Sequence, residues 1–464
     1  METLDLAVPS IALGGNRYKA ILRLAMPTVL AMVSQTIVNE IDMLFFSRLP
    51  IPESSDAQAA LLPSLILTWL FGGSLSAISV GTQALVSRRY AEGNRPAAGA
   101  VLANAIFFCF VAGTFLSIVG ILALPWLLHF MKGGPHVKVV AEQYTRWRLL
   151  AVVSMAATMA IKAFFDGIGK THVHMVAALV MNAFNVVFCW MFIFGHLGMP
   201  RMGAPGAGMS AFVATWIGLL IMGIYAWLVR HQYRPMRLAN LSLRTIWSLL
   251  KLSVPAAAAT IVMMAGFGLF ARAALQLDKG VVGEAVNGAA NADIVETLML
   301  TFTACIAFGT ATATFIGQSL GRRQPEEAAR WGWASARLGV VLFGVVGVCE
   351  GVLFTHPIVA FISHSPAVQA AMIFPMRIMG IATPIIAVAM ILSEGLFGAG
   401  APKFVAGAQF LLVFAWLLPA AYVLGIVLHH GLRGIWISAF VYACLAAVAM
   451  SAKFAGGSWK KIRL

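Results

Sequence analysis

Charge is what this chain has least of. Of its 464 residues only 17 are Asp or Glu and 32 are Lys or Arg, so charged types make up 11% against 60% hydrophobic. A soluble domain carries about 25% charged residues, and a mean hydropathy of +0.88 excludes that class. Cysteine is also sparse: Cys109, Cys189, Cys305, Cys349 and Cys444 are scattered singly through apolar runs. They offer no C-x-x-C pair or disulfide ladder and read as small core residues. His172-Val173-His174 alternates, which on a helix points the two rings apart, and no Cys or acid clusters nearby, so no metal site is expected. His429-His430 reads as an exposed loop, and Asp166 and Lys170 as solvated charges flanking a turn. Neither a P-loop nor a Gly-x-Ser-x-Gly elbow stands in a fitting context, which leaves ATP hydrolysis and esterase chemistry without a site. The first residues lack the basic patch, apolar core and small-residue cleavage site of a secretory signal. The first span is expected to act as its own insertion signal.

What the chain does have is apolar runs of about 20 residues, the length that crosses a bilayer. Punctuation by Gly, Pro and charge, as at 93–96, 132–135, 167–170, 203–206 and 400–403, divides the runs. Twelve helices are predicted at 20–47, 57–87, 97–128, 138–165, 172–196, 205–230, 245–276, 283–319, 328–354, 367–397, 402–427 and 434–455. The fold class is an all-α polytopic membrane protein. The longest polar connector, Arg230 to Leu241, lies near the midpoint. The expected organisation is therefore an N-terminal segment 1–19, a six-helix bundle 20–230, a linker 231–244, a second bundle 245–455 and a basic tail 456–464.

The formal charge of +15 could suggest nucleic acid, but its distribution points elsewhere. With both termini cytoplasmic, that side receives 20 of the 32 Lys and Arg, the other side 6, and the spans 6. Such a bias fits the positive-inside rule and an even helix count. The charge then records topology and attraction to anionic inner-leaflet lipid, with no nucleic-acid partner.

The chain repeats itself. A shift of 228 residues lays Leu24 on Leu252, Pro27 on Pro255, Gly81-Thr82 on Gly309-Thr310 and Gly93 on Gly321. The same shift lays Gly203-x-x-Gly206-x-x-x-Ser210-Ala211-Phe212-Val213 on Gly431-x-x-Gly434-x-x-x-Ser438-Ala439-Phe440-Val441. Six helices per copy make both copies enter the membrane in one direction, so a pseudo-twofold axis along the membrane normal is expected, with a substrate path between the halves.

One stretch carries chemistry. Leu24 to Phe46 is apolar enough to span a bilayer yet holds Gln35, Asn39 and Asp42, spaced to stack on one helical stripe. An ionised Asp at mid-span costs about 2.5 to 3.5 kcal/mol even on the lenient insertion scale, so it usually faces a wet cavity or a partner. The alternative is that Asp42, like Glu40, reaches interfacial water at the helix end. Pro27, two turns before Gln35, is a candidate hinge because it removes a backbone donor. The 23 methionines suit an adaptable ligand cavity, although ordinary packing serves most of them as well.

These residues resemble a family. Pro27 followed by Gln35-Thr36-x-x-Asn39-x-x-Asp42, the GxG turn after the fourth helix, Asn185 ten residues before Gly195, and GAPGAGMSAF are similar to the multidrug and toxic compound extrusion (MATE) transporters. So are GQSLGRR at 317–323, EGLFGAGAPK and GIWISAF in the second half. The resemblance covers essentially the whole chain. It implies an antiporter, acting as a monomer, that exports organic and often cationic small molecules against an H⁺ or Na⁺ gradient, with no cofactor and no enzymatic activity. In the branch that couples through the N-terminal bundle, the functional positions map to Asp42, Asn182 and Asn185, with Gln35 and Asn39 beside them. Where that branch often has a second acid, this chain has Cys189. The other branch uses a Glu eight residues after the Pro of helix seven, but that position is Met263. The shifted seam is Met263, Phe267 and Phe270, so coupling is placed in the first bundle, with H⁺ preferred over Na⁺. Arg272, Asp293 and Glu296 form a possible secondary ion-pair site, as apt for a structural pair as for function.

Four rival readings stay open, of which a membrane enzyme is the least supported because no clustered His, Cys or paired acids offer it a site. A lipid-linked oligosaccharide flippase would need a cationic cavity, for which Arg146, Arg148, Arg337 and Arg377 are available. An exporter dedicated to one secreted metabolite would share every feature above. An unrelated proton-coupled facilitator would carry a basic signature between helices two and three that Arg88 to Arg95 matches poorly.

Overall fold

The computed structural model describes residues 16–51, 53–130, 135–235, 240–279 and 285–464, and these contain helices and no strand. Twelve of the helices are long and apolar enough to cross a bilayer. They are α1 (Arg17–Ser47), α2 (Ile66–Ala91), α3 (Arg95–His129), α4 (His136–Gly167), α5 (His172–Phe194), α6 (Ala204–Leu228), α7 (Leu243–Gln276), α8 (Val286–Gly321), α9 (Pro325–Leu353), α10 (Pro366–Gly398), α11 (Pro402–Val427) and α12 (Gly431–Ala455). Lys132 to Gly134, Arg237 and the N-terminal residues before Asn16 lie outside the described residues.

Each predicted span is present, with shifted ends. Helix continues upstream of α2 as far as Glu53, then passes through a π-helical segment at Trp69–Gly73. Further π segments sit at Cys349–Leu353, Val413–Leu417 and Val423–Val427. Pro27 and Pro255 lie inside α1 and α7, which run on through them while giving up one backbone donor each.

The helices gather into two compact units, Pro27–Ala257 and the described part of Met1–Met26 together with Ala258–Leu464. The divisions fall inside α1 at Pro27 and inside α7 two residues after Pro255, whereas the described residues of the polar connector near 231–244 belong to the Pro27–Ala257 unit. Within the Pro27–Ala257 unit, Asn104 of α3 holds the connector, donating to the Asn240 carbonyl at 2.8 Å and accepting from Ser242 N–H at 2.8 Å. A Cβ on Gly81 would lie 2.7 Å from the Leu249 carbonyl, so α2 and the start of α7 touch backbone to backbone. Within the other unit, Arg17 donates to both carboxylate oxygens of Glu327 at 3.2 Å and lies over the Trp331 ring. Gly347-x-x-x-Gly351 of α9 meets Gly380 of α10 with no room for a Cβ, the close helix approach that small residues permit in lipid.

Candidate functional site

Asp42 lies five residues before the end of α1 and is only 8% exposed, whereas Leu30, Val33, Ile37 and Met43 form an exposed apolar face of the same helix. The carboxylate is thus turned into the Pro27–Ala257 unit and away from interfacial water.

What meets it comes from α4, α5 and α6. The Cys189 thiol of α5 donates to Asp42 Oδ1 at 3.0 Å and lies 2.7 Å from the Ser210 hydroxyl of α6. Ser210 in turn donates to the Ala207 carbonyl at 2.8 Å. Asn185, one turn before Cys189, has its side-chain oxygen 3.8 Å from the same sulfur. From α4, Tyr144 packs edge-on against Phe46 at 6.2 Å, and the Arg148 guanidinium, 5.8 Å from the Tyr144 ring, interacts electrostatically with Asp42.

Glycine makes this convergence possible. A Cβ on Gly208 would lie 2.6 Å from the Tyr144 carbonyl, and one on Gly206 would lie 2.7 Å from the Phe192 backbone, so only a bare backbone lets α6 press against α4 and α5. The preceding turn is held by Met202 N–H to Phe192 carbonyl at 2.8 Å and by Gly203 in a positive-φ conformation. Ser210 reaches Cys189 because of that approach. An apolar cluster of Phe46, Leu49, Ala57, Tyr144, Cys189, Ile193, Ala204 and Ala207 surrounds the polar chain.

The expected site residues are partly assembled. Asp42 and Asn185 meet around Cys189, and Asn182 is buried two turns before it, donating to Ser34 Oγ of α1 at 2.8 Å. Gln35 and Asn39 are exposed and make no hydrogen bond among the described residues, so the seam divides into one buried carboxylate and two open amides. Arg272 and Glu296 are exposed, Asp293 is half-buried, and Arg272 forms no ion pair among the described residues. Sequence reasoning passes over Ser34 and Tyr144, meets Ser210 only as a member of the repeat, and offers Arg148 only as a cation for the flippase reading. It takes Cys189 for a small core residue standing where an acid often sits, although the four-residue spacing from Asn185 puts it on the same face of α5.

Two further charges depart from expectation. Asp166 is fully buried and pairs with Lys162 at 2.6 Å, and Lys170 is only 7% exposed. The reason is close packing at the end of α4, where Gly167 abuts Val86 and Ser87 of α2. Burial, and then the nearby Arg95 charge, push the Lys170 amine below the ordinary lysine range. His174 is buried with Nδ1 unpartnered, His172 is exposed, and no group of three His, Cys, Asp or Glu forms a metal cage among the described residues.

The repeat carries through to the site with its polarity removed. The residues 228 positions beyond Asp42, Tyr144, Arg148, Cys189 and Ala207 are Phe270, Met372, Met376, Leu417 and Ile435. All five belong to one buried apolar cluster in the Ala258–Leu464 unit. Phe270 packs edge-on against Trp436 at 5.5 Å.

Twelve helices long and apolar enough to cross a bilayer, with a carboxylate buried inside the Pro27–Ala257 unit, define a polytopic membrane protein. The MatE family model matches residues 27–191 and 289–423, and the chain belongs to that family. It is 23% identical over 451 residues to a probable multidrug resistance protein NorM of Thermotoga maritima, covering 96% of this chain and 93% of the relative. It is 26% identical over 466 residues to the multidrug resistance protein NorM of Vibrio vulnificus, covering 94% and 95%. The fold is similar to that of an outward-facing multidrug resistance MATE family transporter of the MOP superfamily, with a TM-score of 0.85, 20% identity and 96% and 97% coverage.

Proposed function

We propose that the protein is an H⁺-coupled antiporter exporting organic, cationic or amphipathic small molecules by alternating access, with Asp42 as the group that exchanges proton for substrate. One observation carries this reading: Asp42 is the terminal member of a hydrogen-bonded chain, Asp42–Cys189–Ser210–Ala207 carbonyl, that accommodates both protonation states. With Asp42 ionised, the thiol donates to the carboxylate and the Ser210 hydroxyl shares its proton between the sulfur and the Ala207 carbonyl. With Asp42 protonated, its hydroxyl donates to sulfur, the thiol turns to Ser210, and the serine keeps its bond to the backbone. Each state leaves every donor a partner, so neither incurs the cost of an orphaned buried polar group.

Competition at one carboxylate supplies the coupling. A proton and a cationic substrate each weaken the other's hold, and by linkage the effect is mutual. A one-for-one exchange of H⁺ for a monovalent cation moves no net charge and draws on the pH gradient at about 1.4 kcal/mol per unit. H⁺ is favoured over Na⁺ because a hard cation prefers several oxygen ligands and the hydrogen-bond partner of Asp42 Oδ1 is a thiol. The apolar character of Phe270, Met372 and Leu417 supports coupling in the first unit alone.

Gln35 and Asn39, open on the helix that carries Asp42, are the amides available to substrate, while Asn182 and Asn185 brace α5. Pro27 serves as the hinge of α1. The proposal includes a monomer in the bacterial inner membrane with both termini cytoplasmic, no cofactor, and bundles 20–230 and 245–455 as the moving bodies. The multidrug names of the relatives support a broad substrate range.

Dye efflux from cells or proteoliposomes under an imposed pH or Na⁺ gradient tests the reading. The expected result is efflux driven by a pH gradient and lost in Asp42→Asn with the protein still inserted. Resistance at the unmutated level in Asp42→Asn removes Asp42 from the mechanism, and efflux driven only by Na⁺ overturns the choice of ion.

A further inference from the structure

The Ala258–Leu464 unit carries a cavity of about 310 Å³ lined by Glu326, Ala329, Arg330, Trp333, Arg337, Phe454, Ala455 and Lys460. We propose that it binds the phosphate of an anionic phospholipid headgroup, held by Arg330, Arg337 and Lys460 with the lipid stem against Trp333.

The wall formed by α9 follows from helical spacing. Glu326, Arg330, Trp333 and Arg337 are four, three and four residues apart and share one stripe. The opposite wall is the end of α12 and the 3-10 turn Ser458–Lys461, anchored by the fully buried Trp459 stacked on Phe454. Ala329 and Ala455 leave the space between the walls open.

Charge in the cavity is unbalanced. Lys460 holds Glu326 at 2.8 and 3.0 Å, and Glu327 is engaged by Arg17 at 3.2 Å, leaving Arg330 only a distant contact to Glu327 at 3.8 Å. Arg337 has no carboxylate among the described residues and makes one hydrogen bond, from Nε to the Trp333 carbonyl at 3.3 Å. Its terminal nitrogens retain their donors and the full positive charge, in the fork that fits phosphate.

Position along α9 makes that excess informative. Arg337 lies twelve residues, about 18 Å, into a helix apolar enough to cross a bilayer, and in such a helix a guanidinium without an anion is costly unless it reaches back to the headgroups. Side chains on a helix lean toward its N-terminus, which aims Arg337 at Arg330 and Lys460 and toward the headgroup layer. Trp333, packed edge-on against Phe454 at 5.5 Å, is the residue type that settles at the glycerol level of a membrane. The fold does not require this stripe, because α3, the matching helix of the first half, has no Lys or Arg after Arg95.

The full chain, purified in detergent, is titrated with phosphatidylglycerol, with phosphatidylcholine of the same acyl chains, or with inorganic phosphate, and retained ligand is read by native mass spectrometry. Phosphatidylglycerol is expected to be retained in preference to phosphatidylcholine. Removing one cation, in Arg337→Gln or Arg330→Gln, should weaken it about fivefold, while Arg337→Lys keeps part of the effect. Arg48→Gln, which removes an exposed charge in the other unit, should change nothing. Monodisperse elution and an unchanged melting temperature identify variants that fold, and Arg330→Gln carries the test if Arg337→Gln does not. Retention unchanged in both Gln variants overturns the proposal, as does an equal loss in Arg48→Gln. Displacement of the lipid by inorganic phosphate at similar concentration assigns the site to free phosphate and overturns the lipid assignment.

Discussion

The Cys189 thiol stands 3.0 Å from Asp42 Oδ1 and 2.7 Å from Ser210 Oγ, so a single proton donor links α1, α5 and α6 at the carboxylate. Hydrogen bonds to charged groups contribute about 1.5 to 3 kcal/mol, which is roughly tenfold or more in an equilibrium. Cys189→Ala is therefore expected to lower pH-driven dye efflux by about tenfold. Cys189→Ser, which restores a donor of similar reach, should stay within about threefold of the unmutated rate. Equal rates for Ala and Ser would show that the thiol only fills space.

The approach of α6 rests on Gly208, whose missing side chain faces the Tyr144 carbonyl. Gly208→Val forces backbone apart in a close-packed region and is expected to cost about 1 to 3 kcal/mol. Efflux should also fall, because Ser210 moves away from Cys189. Gly223, with nothing within 4 Å of a built Cβ, supplies the control: Gly223→Ala should leave the melting temperature unchanged or slightly raised. A Gly208→Val variant as stable and active as Gly223→Ala would contradict the packing argument.

Much of this is legible in the amino-acid sequence. Hydropathy gave all twelve spans because a bilayer fixes their length, and the 228-residue shift gave the two related halves. Asp42 stood out because an acid in such a span needs a reason. Other features were hidden by the distance between partners along the chain. Cys189 and Ser210 are ordinary residues in apolar runs until α5 and α6 meet, and the stripe rule placed Gln35 and Asn39 beside Asp42 without saying which part of it turns inward. Asp166 was misread because a charge next to a Gly-rich turn looks solvated, and only packing against α2 reveals that it is covered.

Lys170, in the turn after α4, offers a pH-dependent test. Its amine is held below the ordinary lysine range by burial and by Arg95. At any pH below that lowered value the folded protein carries a charge it disfavours, and the penalty fades as pH rises through the lowered value toward the unfolded one. Lys170→Met should therefore raise the melting temperature near neutral pH, with the gain shrinking toward about pH 10. A gain independent of pH would mean that Lys170 acts through packing and not through its charge.

The buried pair Lys162–Asp166, at 2.6 Å on successive turns of α4, separates stability from transport. Removing one partner leaves an uncompensated buried charge and costs about 3 to 5 kcal/mol, whereas replacing both by apolar residues of similar size is often neutral or stabilising. Lys162→Met and Asp166→Leu should each lower the melting temperature sharply, and the double variant should recover most of the loss, giving a large favourable coupling in the cycle. Because Lys162 lies 18 residues along α4 from Tyr144, the residue of that helix in the cluster around Cys189, the double variant should also retain pH-driven efflux. A stable double variant with no efflux would mean that protons use this pair as well, and the single-carboxylate scheme would have to be replaced by one with two titrating sites in the same unit.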